Sequence, residues 1–372
     1  MSYIWENNSW PKLSYDDPSV SEVLMNLHKE KQMTDIAYSI IDSQTRKQMV
    51  ARYLTEDIVS SLSIEGESID VDSVYSSVSK HLDVTFTGKS KDTAYARSVL
   101  SVVTDALENH GPLTHGRLWQ WNRDLFENKA GIRPKTAGSY RTGPEYVMRI
   151  SGRNREIVYE AVRPETIYQN MENLLSFINA DDGIDPFVKA AVVSLWFVII
   201  HPFEDGNGRI SRAIADYVIS KNAEKTLRAF SISSGILKNR SSYYEQIQIA
   251  SVDNDDMDIS QWVVWFLNTV TECIIESRET LRRTIQTVTF MKALDPNEFN
   301  SREMSMLYKL AYGSFFGKLT TDKWVKMNKC SNSVAFRDIQ HLDKLGYLVP
   351  SEGQGRNDGY YFNQSSVQGF VE

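Results

Sequence analysis

Apolar residues recur at three- and four-residue steps along most of this chain, the spacing of helices with one buried face. Ile40, Ile41, Met49, Val50, Tyr53, Leu54, Ile58 and Val59 keep that spacing from Ser39 to Ile64, and Gly66 ends the run. Before about Lys29 the sequence reads as irregular. There it is rich in Trp, Pro, Asn and Asp, with Trp5, Trp10 and Pro11 marking a segment that lies over another surface. "VDSVYSSVSKHL", "KDTAYARSVLSVVTDALENH" and "THGRLWQWNRDLF" read as three further helices. The period changes between Gly131 and Val162. Val147 and Ile150 precede a turn at Gly152 to Asn154, and Ile157, Val158 and Tyr159 follow it, which predicts a β-hairpin. Pro164 opens the next helix, and Asp185 with Pro186 supplies the N-cap and first position of "DPFVKAAVVSLWFVII". "RISRAIADYVISKN", "SSYYEQIQIASV" and a long helix from Asp258 follow, up to a linker near Lys292 to Asn300.

The last seventy or so residues read as a separate module. "SREMSMLYKLAY", "TTDKWVKMN" and "SNSVAFRDIQHLDKLGYL" suggest three helices, and "YLVPSEGQGRNDGYYFN" two short strands around a Gly-rich turn. That order resembles a winged helix, with Ser331 to Leu345 as the recognition-helix equivalent. The expected fold class is mainly α. Its expected parts are an N-terminal helical region over 1–110, a catalytic core over 111–290 and a winged-helix-like domain over 295–372. With 41% hydrophobic and 24% charged residues, the chain has the balance of an ordinary globular protein. A formal net charge of -7 argues against nucleic acid as a partner of the whole. Cys273 and Cys330 are isolated, which speaks against a disulfide framework or zinc site. The longest apolar run, Ala190 to Ile200, is too short to span a bilayer, and no secretory signal opens the chain. A cytoplasmic protein without membrane contact is expected.

The densest chemistry is "HPFEDGNGRISR", His201 to Arg212. Glycines on both sides of Asn207 allow a turn whose N–H groups point into one concavity, a nest for an anion. The following helix places that nest at a helix N-terminus, where the free N–H groups and the dipole favour phosphate. Arg209 and Arg212 lie three apart on one side of that helix and suit a polyphosphate. Asp205 beside phosphates suits Mg²⁺, and His201 is the group able to take a proton near neutral pH. Phe203 pins the loop to the core. Base, metal ligand, nest and cations are the parts of a phosphoryl- or nucleotidyl-transfer site.

This stretch resembles the signature of Fic proteins, His-x-Phe-x-(Asp/Glu)-Gly-Asn-Gly-Arg-x-x-Arg, at every fixed position. The resemblance extends from about Tyr3 to Thr284, through "YIWENNSWPKL" and "NRSSYYEQIQ", and is to the bacterial members with an N-terminal inhibitory helix. It implies a helical core with a hairpin flap, and transfer of AMP from ATP to a protein hydroxyl. By that resemblance His201 would deprotonate the target, and Asp205 would hold Mg²⁺. Gly206, Asn207 and Gly208 would cradle phosphates, and Arg209 and Arg212 would meet the β- and γ-phosphates. The hairpin from Tyr146 to Val158 would align an unidentified target protein by strand addition. Asn239, Tyr243 and Tyr244 would contact adenine. "SLSIEG" is similar to the family's inhibitory pattern. Ser61, Glu65 and Gly66 fill it, and Glu65 would pair with Arg212. Glu67 lies beyond the glycine and is set aside.

Other readings remain open. The C-terminal module would make the chain a DNA-binding regulator, although Lys323, Lys326, Lys329, Arg337 and Lys344 are interleaved with acids. The same site would remove AMP, or transfer another phosphate-containing group, were Glu65 to position a water. Self-modification and a homo-oligomer are both compatible with the sequence. "DNDDMD", Asp253 to Asp258, lacks the central Gly and terminal Glu of a calcium loop and reads as a solvated turn.

Overall fold

A computed structural model describes residues 2–84, 92–131, 134–151, 154–221, 230–311, 318–351, 359–363 and 365–368. The predicted turn of the first hairpin lies largely outside these residues, as does the Gly-rich turn of the second. The chain is mainly helical, with two small antiparallel sheets among the described residues. It divides into two compact units, Met1–Ser277 and Arg278–Glu372.

The first unit opens with a 3₁₀ turn, Ile4–Glu6. Helices α1 (Pro18–Ser39), α2 (Ser43–Ile64), α3 (Val71–His81), α4 (Ala94–Glu108) and α5 (His115–Glu127) follow. Strands β1 (Tyr146–Ser151) and β2 (Asn154–Glu160) pair as a hairpin. Then come a 3₁₀ turn (Pro164–Thr166), α6 (Ile167–Asn179), α7 (Pro186–Ile200), α8 (Asn207–Lys221), α9 (Ile232–Lys238) and α10 (Arg240–Ser251). The long α11 (Ser260–Ala293) continues into the second unit.

Several element boundaries differ from those expected. Helix begins at Pro18, well before Lys29, because Asp17 caps it by accepting from Ser19 N and Pro18 fits its first turn. The periodicity concealed α1 because its buried stripe is thin: Val20 and Leu27 are buried, while Met25 and Ile36 are exposed. The run from Ser39 to Ile64 is not one helix. Asp42 accepts from Thr45 N at 2.9 Å and starts α2 afresh, so a cap interrupts a spacing that looks continuous. The seven-residue α9, capped by Ser231, was not anticipated at all.

Helix α7 is apolar on all sides and sits at the centre, with every residue from Phe187 to Ile200 buried except Val198. Helix α8 packs along it, and α4 and α5 cover α8. Helix α2 packs on α3 and α9. The N-terminal segment lies across this core as expected. Ile4 is buried, the Trp10 indole N–H donates to Asn170 Oδ1 at 2.6 Å, and the Trp10 ring meets Trp196 edge-on. The turn at Asp253 ties it down, since Asp253 Oδ1 accepts from Ser2 N and Met257 O from Ser14 N. The base of the hairpin is anchored to α7 by Tyr159, whose hydroxyl donates to Ile199 O at 2.7 Å.

The second unit holds the rest of α11, α12 (Ser301–Ala311), α13 (Thr321–Asn328), α14 (Asn332–Lys344), strands β3 (Leu348–Pro350) and β4 (Tyr360–Phe362), and a last turn α15 (Ser365–Gln368). Phe290, Met306, Leu307, Trp324, Ile339 and Leu342 form its core. Within the stretch read as a linker, α11 continues to Ala293, and Leu294 and Phe299 are buried in that same core. No described helix is long and apolar enough to cross a membrane.

Candidate active site

His201 is the residue at which α7 ends. It adopts the left-handed conformation, with φ 51°, and its N–H donates to Phe197 O at 3.0 Å. Its Nδ1 lies 3.2 Å from Val198 O. A proton on Nδ1 satisfies that carbonyl and leaves the lone pair on Nε2. Burial pushes the imidazole pKa down to about 4, against the opposing pull of the Val198 carbonyl, so the ring is neutral at pH 7. The backbone around it is held by Arg141, which is itself buried. That guanidinium donates to His201 O at 2.8 Å, to Gly143 O at 2.7 Å and to Val162 O at 2.6 Å. No pattern in the sequence marks Arg141.

The loop after His201 is fixed from below. Phe203 is buried, 5.3 Å from the Tyr140 ring and 6.3 Å from Phe197. Asn207 clamps the Phe203 peptide from both sides: its Oδ1 accepts from Phe203 N at 3.0 Å, and its Nδ2 donates to Phe203 O at 2.8 Å. The Asn207 side chain is therefore committed to the loop, and its backbone N–H, at the start of α8, is the part left to meet an anion. Gly206 packs against Asn122, Leu125 and Phe126. Asn122 bridges this turn to the chain before the hairpin, donating to Asp205 O at 2.9 Å and accepting from Gly138 N at 2.8 Å.

Asp205 is half exposed, and its Oδ1 accepts from Gly206 N at 2.5 Å and from Arg209 Nη2 at 2.9 Å. No group of three or more His, Cys, Asp or Glu among the described residues forms a metal cage. One accessible carboxylate beside a phosphate nest does fit Mg²⁺, which commonly takes one or two carboxylates, substrate phosphates and water.

Arg212 meets the end of α2. Its Nε donates to Ser61 Oγ at 3.0 Å, and its Nη2 donates to Ser61 O at 2.8 Å and to Glu65 Oε1 at 2.9 Å. Burial works against the Arg212 charge, but Glu65 together with Tyr243 and Tyr244 outweighs it and the pKa is raised. The Glu65 carboxylate also covers Gly208 so closely that a Cβ there would collide with it. Helix α2 delivers Glu65 through a Schellman turn. Gly66, in the left-handed region at φ 76°, donates to Ser63 O at 3.0 Å, and Glu67 N donates to Leu62 O at 3.0 Å.

The same turn delivers Glu67, which lies beyond the glycine that ends the inhibitory pattern. Its Oε1 lies 2.9 Å from Arg209 Nη1 and 2.8 Å from Lys129 Nζ, and its Oε2 accepts from Tyr95 OH at 3.2 Å. Burial, reinforced by this carboxylate, raises the Tyr95 pKa. Arg209 is buried and lies over the Phe126 ring, 4.9 Å from its centroid. Each motif arginine thus faces one acid of a Glu-Gly-Glu triplet, in antiparallel order. A glycine between two acids, opposite arginines three apart, is the signal that could have been read.

The three residues proposed for adenine separate. Tyr243 is buried with Trp262 and Trp265 at 5.9 and 5.8 Å, so it is part of the core. Tyr244 is half exposed and reaches Ile64 O at 3.4 Å, beside Glu65. Asn239 joins α9 to α10, and its side chain turns back to Gly235 O.

Residues 112–219 match the model of the Fic/DOC family, and residues 3–84 match that of a domain of unknown function, DUF4172. The first range contains His201 through Arg212; the second contains Ser61, Glu65, Gly66 and Glu67. Over 121 residues the chain is 26% identical to the protein adenylyltransferase fic-1 of Caenorhabditis elegans, a match covering 32% of this chain and 21% of that protein. The chain thus spans about a fifth of the length of that curated relative. A Fic family protein from Desulfovibrio desulfuricans G20 superposes with a TM-score of 0.56 at 16% identity, covering 94% of this chain and 97% of the other. A Fic domain containing signaling protein from Bacteroides thetaiotaomicron gives 0.52 at 20% identity, covering 72% and 96%. The fold is shared with these structures, and the region that matches the Fic/DOC family, residues 112–219, spans His201, the glycine turn and both arginines.

Proposed function

We propose that this protein transfers AMP from ATP to a side-chain hydroxyl of a target protein, and to itself, and that Glu65 holds it inactive at rest. The observation that carries this is the Glu65 carboxylate lying over Gly208 and bonded to Arg212. An acid occupies the place at the N-terminus of α8 that an anion would take.

In the reaction, the N–H groups from Gly206 to Gly208 receive phosphate oxygens, and Arg209 and Arg212 take the β- and γ-phosphates. His201 Nε2 removes the proton of the target hydroxyl. The hydroxyl oxygen bonds to the α-phosphorus, the bond from that phosphorus to the oxygen bridging the β-phosphate breaks, and pyrophosphate departs with the electron pair. Asp205 is the residue to hold Mg²⁺, which, when bound, offsets charge on the α- and β-phosphates. The target is laid against the β1–β2 hairpin, whose base Tyr159 fixes to the backbone next to His201. Glu65 opposes all this by engaging Arg212, which leaves the γ-phosphate without its cation. Tyr244, beside Ile64, would meet the adenine. The adenylyltransferase fic-1 relative supports the choice of AMP as the group moved. In the second unit, α12 to β4 serve as a winged-helix-like module for protein contacts.

The test is incubation with Mg²⁺ and ATP labelled on the α-phosphate. Weak self-labelling is expected of the wild type, strong labelling of Glu65→Gly, and none of His201→Ala. Labelling of His201→Ala at its parent's rate removes the base assignment. A Glu65→Gly variant that is labelled by another nucleotide and not by ATP removes the donor.

A further inference from the structure

We infer that Lys129 and Arg209 form a second phosphate subsite, and that Glu67 occupies it at rest as a stand-in for a phosphate oxygen. The inference rests on reading the N-terminus of α8 as a polyphosphate receptor. One carboxylate oxygen of Glu67 lies 2.8 Å from Lys129 Nζ and 2.9 Å from Arg209 Nη1. Two cations converging on one oxygen is the arrangement that binds a phosphate. The Phe126 ring lies under both, 5.2 Å from Lys129 Nζ and 4.9 Å from the Arg209 guanidinium carbon, and keeps them side by side.

Arg209 supplies an independent sign. Its side chain is 3% exposed, yet its Nε and Nη1 make no hydrogen bond among the described residues. Glu67 comes within ion-pair distance of Nη1 without the alignment of a hydrogen bond. Leaving buried guanidinium donors unused is costly, and an incoming acceptor with more lone pairs would use them. Lys129 is 23% exposed on its side chain, so the subsite has an opening.

The charges explain why Glu67 belongs to the resting state. Arg209 and Lys129 are balanced by Asp205 and Glu67, so an arriving polyphosphate meets no net attraction there until Glu67 leaves. Glu65 and Glu67 flank Gly66 on one Schellman turn, so movement of that turn withdraws both. Substituting Glu65 alone frees Arg212 but leaves Arg209 and Lys129 occupied.

Equilibrium binding of inorganic triphosphate to the full-length protein tests this without adenine, Mg²⁺ or turnover. Glu65→Gly/Glu67→Gln is expected to bind triphosphate about ten-fold more tightly than Glu65→Gly, with a gain that shrinks as salt rises. Adding Lys129→Gln should cancel the gain, and Lys129→Arg should restore it. The same comparison with Glu67→Ala guards against a folding defect peculiar to the glutamine. Unchanged or weaker binding on loss of Glu67, with a lower melting temperature, would make Glu67 a structural prop and overturn the inference. A gain that survives Lys129→Gln removes Lys129 from the subsite. If these results hold while no variant transfers AMP, the reaction assignment fails and the phosphate subsite stands.

Discussion

The base role proposed for His201 depends on where α7 stops. Its ring is desolvated at the end of a largely buried helix, and its Nδ1 faces Val198 O. The depressed pKa has a definite sign. As pH falls through the ordinary histidine value, near 6.5, the unfolded chain takes up the proton first, so stability present above that value is lost progressively toward about 4. The imidazole likewise stays neutral through most of that window, as the proposed base role requires. The labelling rate of Glu65→Gly is expected to remain flat from pH 7.5 to about 5.5 and to fall toward 4; a fall centred near 6.5 would show an ordinary, solvated histidine. At the same scale, Asn207→Ala removes two hydrogen bonds from the buried Phe203 peptide. A loss of about 2–3 kcal/mol is expected in thermal or denaturant unfolding, because both peptide groups lose their partners in a buried loop. The motif showed that Asn207 matters. It did not show that the side chain holds the loop while only the backbone is left for an anion.

At the scale of elements, the ends of helices carry the candidate site, and these were the least legible parts. Interior spacing located most of the helices, because a buried stripe is written directly in residue order. It missed the start of α1 and the break before α2, where Asp17 and Asp42 divert backbone N–H groups into caps. The end of α2 is the functional case. Gly66 at φ 76° makes the turn that sends Glu65 and Glu67 toward α8. Gly66→Ala places a Cβ in the left-handed region, at about 1 kcal/mol. It is expected to lower the melting temperature by a few degrees and to raise self-labelling above wild type. A destabilised variant that remains as quiet as its parent would show that the turn does not position the acids.

At the scale of the whole molecule, the first unit, Met1–Ser277, contains His201, the glycine turn, both arginines and both acids. A Glu65→Gly chain ended after Ser277 is expected to self-label within about three-fold of the full-length variant, since small independent cores retain local chemistry. Loss of labelling in a folded fragment would assign the second unit a part in catalysis. The two sequence families divide the site in the same way: the region matching DUF4172 supplies the acids and the region matching Fic supplies the cations. The sequence by itself determined the mainly helical class, the buried α7, the hairpin and the placing of His201 to Arg212 on one turn and the start of one helix, because each rests on residues adjacent in the chain. Tertiary structure alone decided that Arg141 holds the backbone of His201 and that Tyr243 belongs to the core. It also decided that Glu67 and Lys129 share one position with Arg209. Those pairings join residues far apart in sequence through side-chain direction and a single left-handed glycine, which no local spacing records.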